Sequence, residues 1–308
     1  MGTEDMANAI STHAEKNDTF VKSSMGQSLL QPYIIDLYPL KAQYASGDKA
    51  EFEARLHNPT AADVSILAIF QITELDAEVW SDQCKILLPA GSTRIIPFTY
   101  LPDRAEWKCF GADLSIYVCD KTHTIMEGDI SENDRTCYEN SSVPVLSDRL
   151  STAFDIAESW KKAPRYGFLC DFGKQDENDR ESVAQLAKYH LNVIQFYDWM
   201  YRHDDLVPHE EYYQDPLNRS MSLIAVKNRI RQCHEHGMKT MAYGAVYASD
   251  WEFYLKHPEW ALYDNRGKVQ NLGGWLVIMN IGPQSSWSDH IIQEYIKALT
   301  QLDFDGIQ

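Results

Sequence analysis

The first part of the chain alternates apolar and polar residues with a period of two. Between residues 49 and 58, the apolar Phe52, Ala54 and Leu56 alternate with charged residues, as in a strand with one buried face. Further apolar runs, separated by turn residues, follow at residues 64–72, 83–88, 93–100 and 110–118. Short strands at this spacing predict an immunoglobulin-like β-sandwich over residues 31–120.

Two polar segments flank this predicted sandwich. Residues 1–30 show no hydrophobic period, which predicts a flexible leader. Residues 121–152 are rich in Asp, Glu, Asn and Ser and are predicted to form a connector.

After Pro164 the pattern changes to alternating strands and helices. Strands are predicted at residues 165–172, 192–199 and 239–243 and from residue 304, and helices at 179–190, 221–236 and 287–302. This order is typical of parallel-sheet folds, either a βα barrel or a doubly wound sheet. Two features favour the barrel: no glycine-rich phosphate turn follows the first strand, and the loop from Tyr243 to about Ser286 is long enough to be an active-site loop.

The predicted barrel is incomplete. About four of the eight strands of a barrel are recognisable, and residue 308 falls within a predicted strand. A half barrel exposes two unpaired sheet edges. We therefore expect residues 153–308 to form the first half of a (β/α)8 TIM barrel, truncated near strand 4, within a fragment of a longer chain.

Charge and length restrict the function. The 308 residues suffice for two domains of roughly 100 to 200 residues each. With 28 basic and 45 acidic residues, the net charge is −17, which repels phosphate backbones and anionic membrane surfaces. We expect neither nucleic-acid nor membrane binding. The absence of a signal peptide and the dispersed cysteines favour a cytoplasmic location.

One cluster resembles a metal site. Residues 233–236 read Cys-His-Glu-His, but they fall on a predicted helix, where side chains one or two positions apart point in different directions. These side chains cannot converge on one ion. We expect neither a metal nor a cofactor.

The candidate chemistry lies where the predicted barrel strands end, since active sites of barrels are built at that face. The residues at these positions, with one aromatic from the long loop, are Asp171, Tyr197, Asp198, Trp199, Tyr201, His203, Tyr243, Tyr247 and Trp275. Carboxylates accept hydrogen bonds from sugar hydroxyls, and aromatic rings pack on the C–H faces of sugars. The set predicts carbohydrate binding. For each aromatic residue, the alternative is ordinary packing in the core or in a loop.

Four segments resemble glycoside hydrolase family 66, which holds dextranases and cycloisomaltooligosaccharide glucanotransferases. They are residues 164–172, 189–192, 195–203 with the unusual string QFYDWMYRH, and 236–243. The resemblance implies an N-terminal immunoglobulin-like domain, a (β/α)8 barrel and a C-terminal β domain. Cys170 and Gly244 depart from the expected serine and asparagine.

The resemblance also implies an activity. Family members act on α-1,6-linked glucan, such as dextran or isomaltooligosaccharides, with retention, through two carboxyl groups about 5 to 5.5 Å apart. The family's nucleophilic Asp follows strand four and its acid/base Glu comes later, so both are expected beyond Gln308. No catalytic residue is assigned here, Asp305 included, and the chain alone is expected to be inactive. Family members are often secreted, which leaves secretion open as a second location.

Alternatives remain for the aspartates and for the function. Asp171 and Asp198 are favoured as ligands of sugar hydroxyls, with Asp198 the stronger candidate. They could instead form a catalytic pair, or pair structurally with Arg165 or Arg202. The chain could also be a non-catalytic carbohydrate-binding or interaction protein, or another sugar-active barrel such as an α-amylase-like hydrolase.

Overall fold

The computed structural model describes residues 32–119 and 145–308. The predicted leader and residues 121–144 of the predicted connector lie outside this part of the chain. The strands are β1 Ile34–Pro39, β2 Tyr44–Ala45, β3 Ala50–His57, β4 Val64–Glu74, β5 Ala77–Leu88, β6 Thr93–Tyr100, β7 Trp107–Cys119, β8 Val145–Ala157, β9 Tyr166–Leu169, β10 Val193–Phe196, β11 Tyr212–Gln214, β12 Ser220–Ser222, β13 Lys239–Ala242, β14 Ala248–Asp250, β15 Asn271–Leu272, β16 Leu276–Ile278 and β17 Gly306–Ile307. The α-helices are α1 Glu181–Lys188, α2 Leu223–Glu235, α3 Trp251–Lys256 and α4 Ser286–Gln301. No helix in the described ranges is long and apolar enough to cross a membrane.

The N-terminal half consists of two β-sheets with one shared core. One sheet has the order β1-β3-β6 and the other β2-β8-β7-β4-β5. Alternate residues of β3 and β4 are buried, and the rings of Phe52 and Phe70 meet across the two sheets with centroids 5.1 Å apart. The period of two predicted these buried faces, because a strand in a two-sheet stack turns every second side chain into the core.

The structure corrects the predicted connector. Strand β8 pairs antiparallel with β7, and Phe154 and Ile156 enter the same core. Residues 145–152, predicted as connector, and 153–157, predicted as barrel, therefore belong to the β-sheet domain. The sequence of β8 shows little of the alternation that predicts a strand, because its first nine residues are mostly exposed and only the last four are buried.

The C-terminal half contains a four-stranded sheet with the order β17-β13-β10-β9. All three neighbouring pairs are parallel, which confirms the predicted strand direction. Residues of α1, α2 and α4 share a core with Ile194 and Phe196 of β10. On the opposite face of the sheet, Tyr166 and Phe168 of β9 are exposed.

Two insertions follow the C-terminal ends of the central strands. The β11–β12 hairpin lies between β10 and α2, and an antiparallel sheet of order β14-β16-β15 lies between β13 and α4. The second insertion packs against α4 around a small core, which includes Val277 and Met279 of the insertion and Trp287 of α4. The long loop predicted after Tyr243 is thus an ordered unit, and the hairpin was not predicted.

A buried carboxylate joins the two halves. Asp155 on β8 accepts hydrogen bonds from Arg165 Nη2 at 2.8 Å, Gln43 Nε2 at 2.8 Å and Trp107 Nε1 at 3.1 Å. Arg165 also donates to the carbonyl oxygen of Ala42. Arg165 is therefore committed to Asp155 and does not pair with either predicted site aspartate.

We expect Asp155→Asn to lower the free energy of unfolding by about 1.5 kcal/mol, because hydrogen bonds to a buried charge are lost. Urea unfolding measures the change, with the exposed Asp103→Asn as the control. Equal stability of the two variants would show that this carboxylate does not hold the halves together.

Candidate functional site

Two tyrosines lie side by side where the central parallel strands end. Phe196 and Ala242 are register partners, so Tyr197 and Tyr243, the next residues, are neighbours with ring centroids 4.7 Å apart. Tyr197 is 42% exposed. Burial, with the nearby Tyr197, Tyr247 and Asp198, raises the pKa of Tyr243 to about 12. Its phenol therefore stays protonated and can donate a hydrogen bond to a ligand.

Asp198 follows this tyrosine pair in a left-handed backbone conformation, with φ of 53°. Its Oδ2 accepts a hydrogen bond from Arg219 Nη2 at 3.3 Å. Arg219 is held in turn by the fully buried carboxylate of Asp215 at 2.6 Å. Burial raises the pKa of Asp198, and the Arg219 charge opposes that shift.

The alternative pairing of the two candidate aspartates with Arg165 or Arg202 does not occur in the structure. Arg202 pairs with Asp250 at 3.3 Å, and Asp198 pairs with Arg219, which the sequence did not single out. Asp171, after β9, is exposed, and no ion pair to its side chain occurs in the described part of the chain. Asp198 is thus positioned by its neighbours, whereas Asp171 is not.

Two of the predicted substrate-binding residues are buried in the core, which corrects their assignment. Trp199 is 0% exposed; its indole donates to the carbonyl oxygen of Tyr243 at 3.1 Å, and its ring packs on Phe304. His203 is also buried, and burial lowers its pKa. Neither side chain offers a surface to a ligand. Trp199 instead supports the backbone of Tyr243.

The second insertion presents two further predicted aromatics. Tyr247 is exposed, and its carbonyl oxygen accepts a hydrogen bond from Met279 N. Trp275 is 51% exposed in the turn between β15 and β16. The indole of Trp251 donates to the carbonyl oxygen of Gly274 and holds this turn. Both aromatics are available for binding.

A cavity of about 720 Å³ lies beside the β11–β12 hairpin. The predicted Tyr201 forms part of its wall, but most of the lining comes from residues that the sequence did not single out. These include Lys174, His209, Tyr212, Tyr213, Gln214 and Ser220. The adjacent tyrosines, followed by the turn residues Asp-Pro-Leu-Asn at 215–218, were the available signal for an aromatic hairpin.

A smaller cavity of about 310 Å³ is acidic and also lies next to Tyr201. Asp204 in its wall accepts a hydrogen bond from the backbone N–H of Asp250 at 2.9 Å. Burial, together with the charges of Asp250 and Asp205, raises the pKa of Asp204 to about 6 although this hydrogen bond lowers it. A carboxyl group here is easily protonated.

Asp305 lies at the other end of the parallel sheet, before β17. It accepts hydrogen bonds from His234 Nε2 at 2.8 Å, Lys239 Nζ at 2.7 Å and Thr240 N at 2.9 Å. Burial raises the pKa of Asp305, but these hydrogen bonds outweigh burial and hold it well below its usual range. This arrangement stabilises the fold and lies away from the strand ends that carry the tyrosines.

The side chains of the Cys-His-Glu-His run diverge. His234 bonds to Asp305, the Nδ1 of His236 lies 2.9 Å from the carbonyl oxygen of Leu40, and Cys233 is buried. Among the residues that the structure describes, no group of three or more His, Cys, Asp and Glu side chains could hold a metal ion.

Residues 39–308 match the family model described as glycosyl hydrolase family 66. The chain belongs to this family. The match covers most of the chain, including the strand ends and both insertions, and it confirms the resemblance seen in the four sequence segments.

Two curated relatives are cycloisomaltooligosaccharide glucanotransferases from Niallia circulans. One is 26% identical over 283 residues, which cover 87% of this chain and 26% of the relative. The other is 24% identical over 292 residues, which cover 89% of this chain and 27% of the relative. The chain thus spans about a quarter of the length of these relatives.

A solved structure shares the fold. It is a cycloisomaltooligosaccharide glucanotransferase from Paenibacillus sp., complexed with cycloisomaltoheptaose. The TM-score is 0.75 at 21% identity, and the match covers 90% of this chain and 38% of that chain. The β-rich N-terminal half and the parallel sheet therefore follow the architecture of that solved structure.

Proposed function

We propose that the chain binds α-1,6-linked glucan, as dextran or isomaltooligosaccharides, and forms part of a glycoside hydrolase or glucanotransferase. Its N-terminal sheets are then an immunoglobulin-like sandwich, and its parallel sheet is part of a (β/α)8 barrel. The observation that carries the proposal is the pair of the exposed Tyr197 and the partly buried Tyr243 beside Asp198, at the C-terminal ends of parallel strands.

The chemistry of this site suits a sugar. Tyrosine rings pack on sugar C–H faces, and a protonated phenol and a carboxylate supply one donor and one acceptor for hydroxyl groups. Arg219 holds Asp198 in place, so little side-chain entropy remains to be lost on binding. Family membership supports α-glucan as the sugar.

We assign the aspartates of this chain to binding and not to bond cleavage. Retaining hydrolysis needs a free nucleophile and an acid/base residue about 5 to 5.5 Å apart, and Asp198 is engaged by Arg219. The family resemblance assigns these two catalytic roles to residues after the fourth barrel strand. The 308-residue chain should therefore bind glucan without cleaving it.

Calorimetric titration with isomaltoheptaose and with maltoheptaose tests this proposal, because the two differ only in linkage. We expect the α-1,6-linked ligand to bind more tightly and dextran to release no reducing sugar above a blank. Tighter binding of maltoheptaose would favour an α-amylase-like specificity, and equal affinity for both ligands or no binding of either would contradict the proposal. Release of reducing sugar would contradict the assignment of the aspartates to binding alone.

A further inference from the structure

We call Tyr197, Asp198 and Tyr243 the strand-end site. The cavity beside the β11–β12 hairpin adjoins this site. Arg219 in the hairpin turn reaches Asp198, while Tyr212 and Ser220 of the same hairpin line the cavity. The hydroxyl of the buried Tyr213 donates to the carbonyl oxygen of Trp199. The β11–β12 hairpin and its turn therefore contribute residues both to the cavity and to the strand-end site.

The cavity suits a small neutral ligand. Its volume of about 720 Å³ falls within the range of small-molecule sites, about 300 to 1,000 Å³. Its wall combines the rings of Tyr201, Tyr212 and Tyr213 with the hydroxyl of Ser220 and the amide of Gln214. Aromatic faces with a few neutral polar groups are what a sugar ring requires.

The charges in the cavity argue against an anionic ligand. Arg202 pairs with Asp250 and also donates to the carbonyl oxygen of Gln214, and His209 lies 2.6 Å from Asp205. The ammonium group of Lys174 lies over the ring of Tyr212, 5.0 Å from its centroid. The cationic groups are thus occupied by protein partners and do not converge on a free anion site.

We propose that this cavity is a second glucosyl-binding site, which holds remote units of an α-glucan whose other units lie at the strand ends. This inference rests on the proposed function. A glucan chain too long for the strand-end site passes beside the hairpin and reaches the cavity. Affinity should therefore rise with chain length, since both sites are engaged by one molecule.

Calorimetry on Tyr212→Ala tests the inference with isomaltose and isomaltoheptaose. Tyr212 is 45% exposed, so its removal should leave the fold intact. We expect about a tenfold loss of affinity for isomaltoheptaose and no change for isomaltose. The control is Tyr189→Ala, which removes a 73% exposed tyrosine outside the cavity lining and should change neither affinity.

The outcomes separate this inference from the proposed function. If the unaltered chain binds isomaltoheptaose and Tyr212→Ala binds it equally well, the second site is refuted and the proposed function stands. A remote site would also be refuted if Tyr212→Ala lost the same affinity for both ligands. It would be refuted as well if the unaltered chain bound isomaltoheptaose no more tightly than isomaltose. If the unaltered chain binds neither ligand, the proposed function fails and this inference fails with it.

Discussion

Asp198→Asn should weaken the binding of isomaltooligosaccharides more than tenfold while leaving the chain folded. The carboxylate is partly buried and pairs with Arg219, and in such a place a charged hydrogen bond to a sugar hydroxyl contributes about 1.5 to 3 kcal/mol, or roughly 10- to 150-fold in affinity. Asparagine accepts the left-handed φ of this position, and Arg219 keeps its second partner, Asp215.

Calorimetry and thermal unfolding on the same variant decide between a binding and a structural role for Asp198. A structural role predicts a lower melting temperature with unchanged affinity in the folded fraction. The control is Asp303→Asn, which alters a carboxylate that is 92% exposed. An affinity for isomaltoheptaose equal to that of the unaltered chain would remove Asp198 from the site.

Asp204→Asn should raise the free energy of unfolding by about 2 to 3 kcal/mol at pH 8 and by less than about 1 kcal/mol at pH 4. The pKa of this carboxyl group is about 6 in the folded chain, against 3.8 without the fold, so its ionisation opposes folding. The stability that the protonated carboxyl contributes is complete below pH 3.8 and is lost as the pH rises through about 6. Asparagine stays neutral throughout and can still accept the N–H of Asp250.

Urea unfolding of Asp204→Asn and of the unaltered chain at both pH values measures this difference. The charged neighbours Asp205 and Asp250, and the Arg202 that pairs with Asp250, are unchanged in both chains. If the variant were less stable than the unaltered chain at pH 8, or if its free energy of unfolding rose equally at both pH values, Asp204 would not be a destabilising buried charge.

The elements of the fold were predictable where burial alternates regularly. Strands β3 and β4 bury every second residue, so their period of two is visible in the sequence. The three longer helices begin and end within about two residues of the predicted bounds, since each buries one side. The first part of β8 escaped prediction because its residues are exposed and carry no such pattern.

The position of the candidate site residues at strand ends was predictable, but their burial and their partners were not. Strand ends identified Tyr197, Asp198 and Tyr243, yet the chain turns at Asp198, and beyond this turn a strand pattern no longer indicates which side chains face outwards. Trp199 and Met200 are therefore both buried in the core, which an alternating strand pattern does not predict. Arg219 could not be paired with Asp198 from the sequence, because the contact joins residues 21 positions apart through an unpredicted hairpin.

In the proposed function, the C-terminal ends of the parallel strands bind glucan. Amide chemical-shift changes on titration of the isotope-labelled chain with isomaltoheptaose test it most directly, since they report which residues contact the ligand. We predict the largest changes at Tyr197, Asp198 and Tyr243. Changes confined to the two N-terminal sheets would contradict the account and would support a carbohydrate-binding sandwich instead.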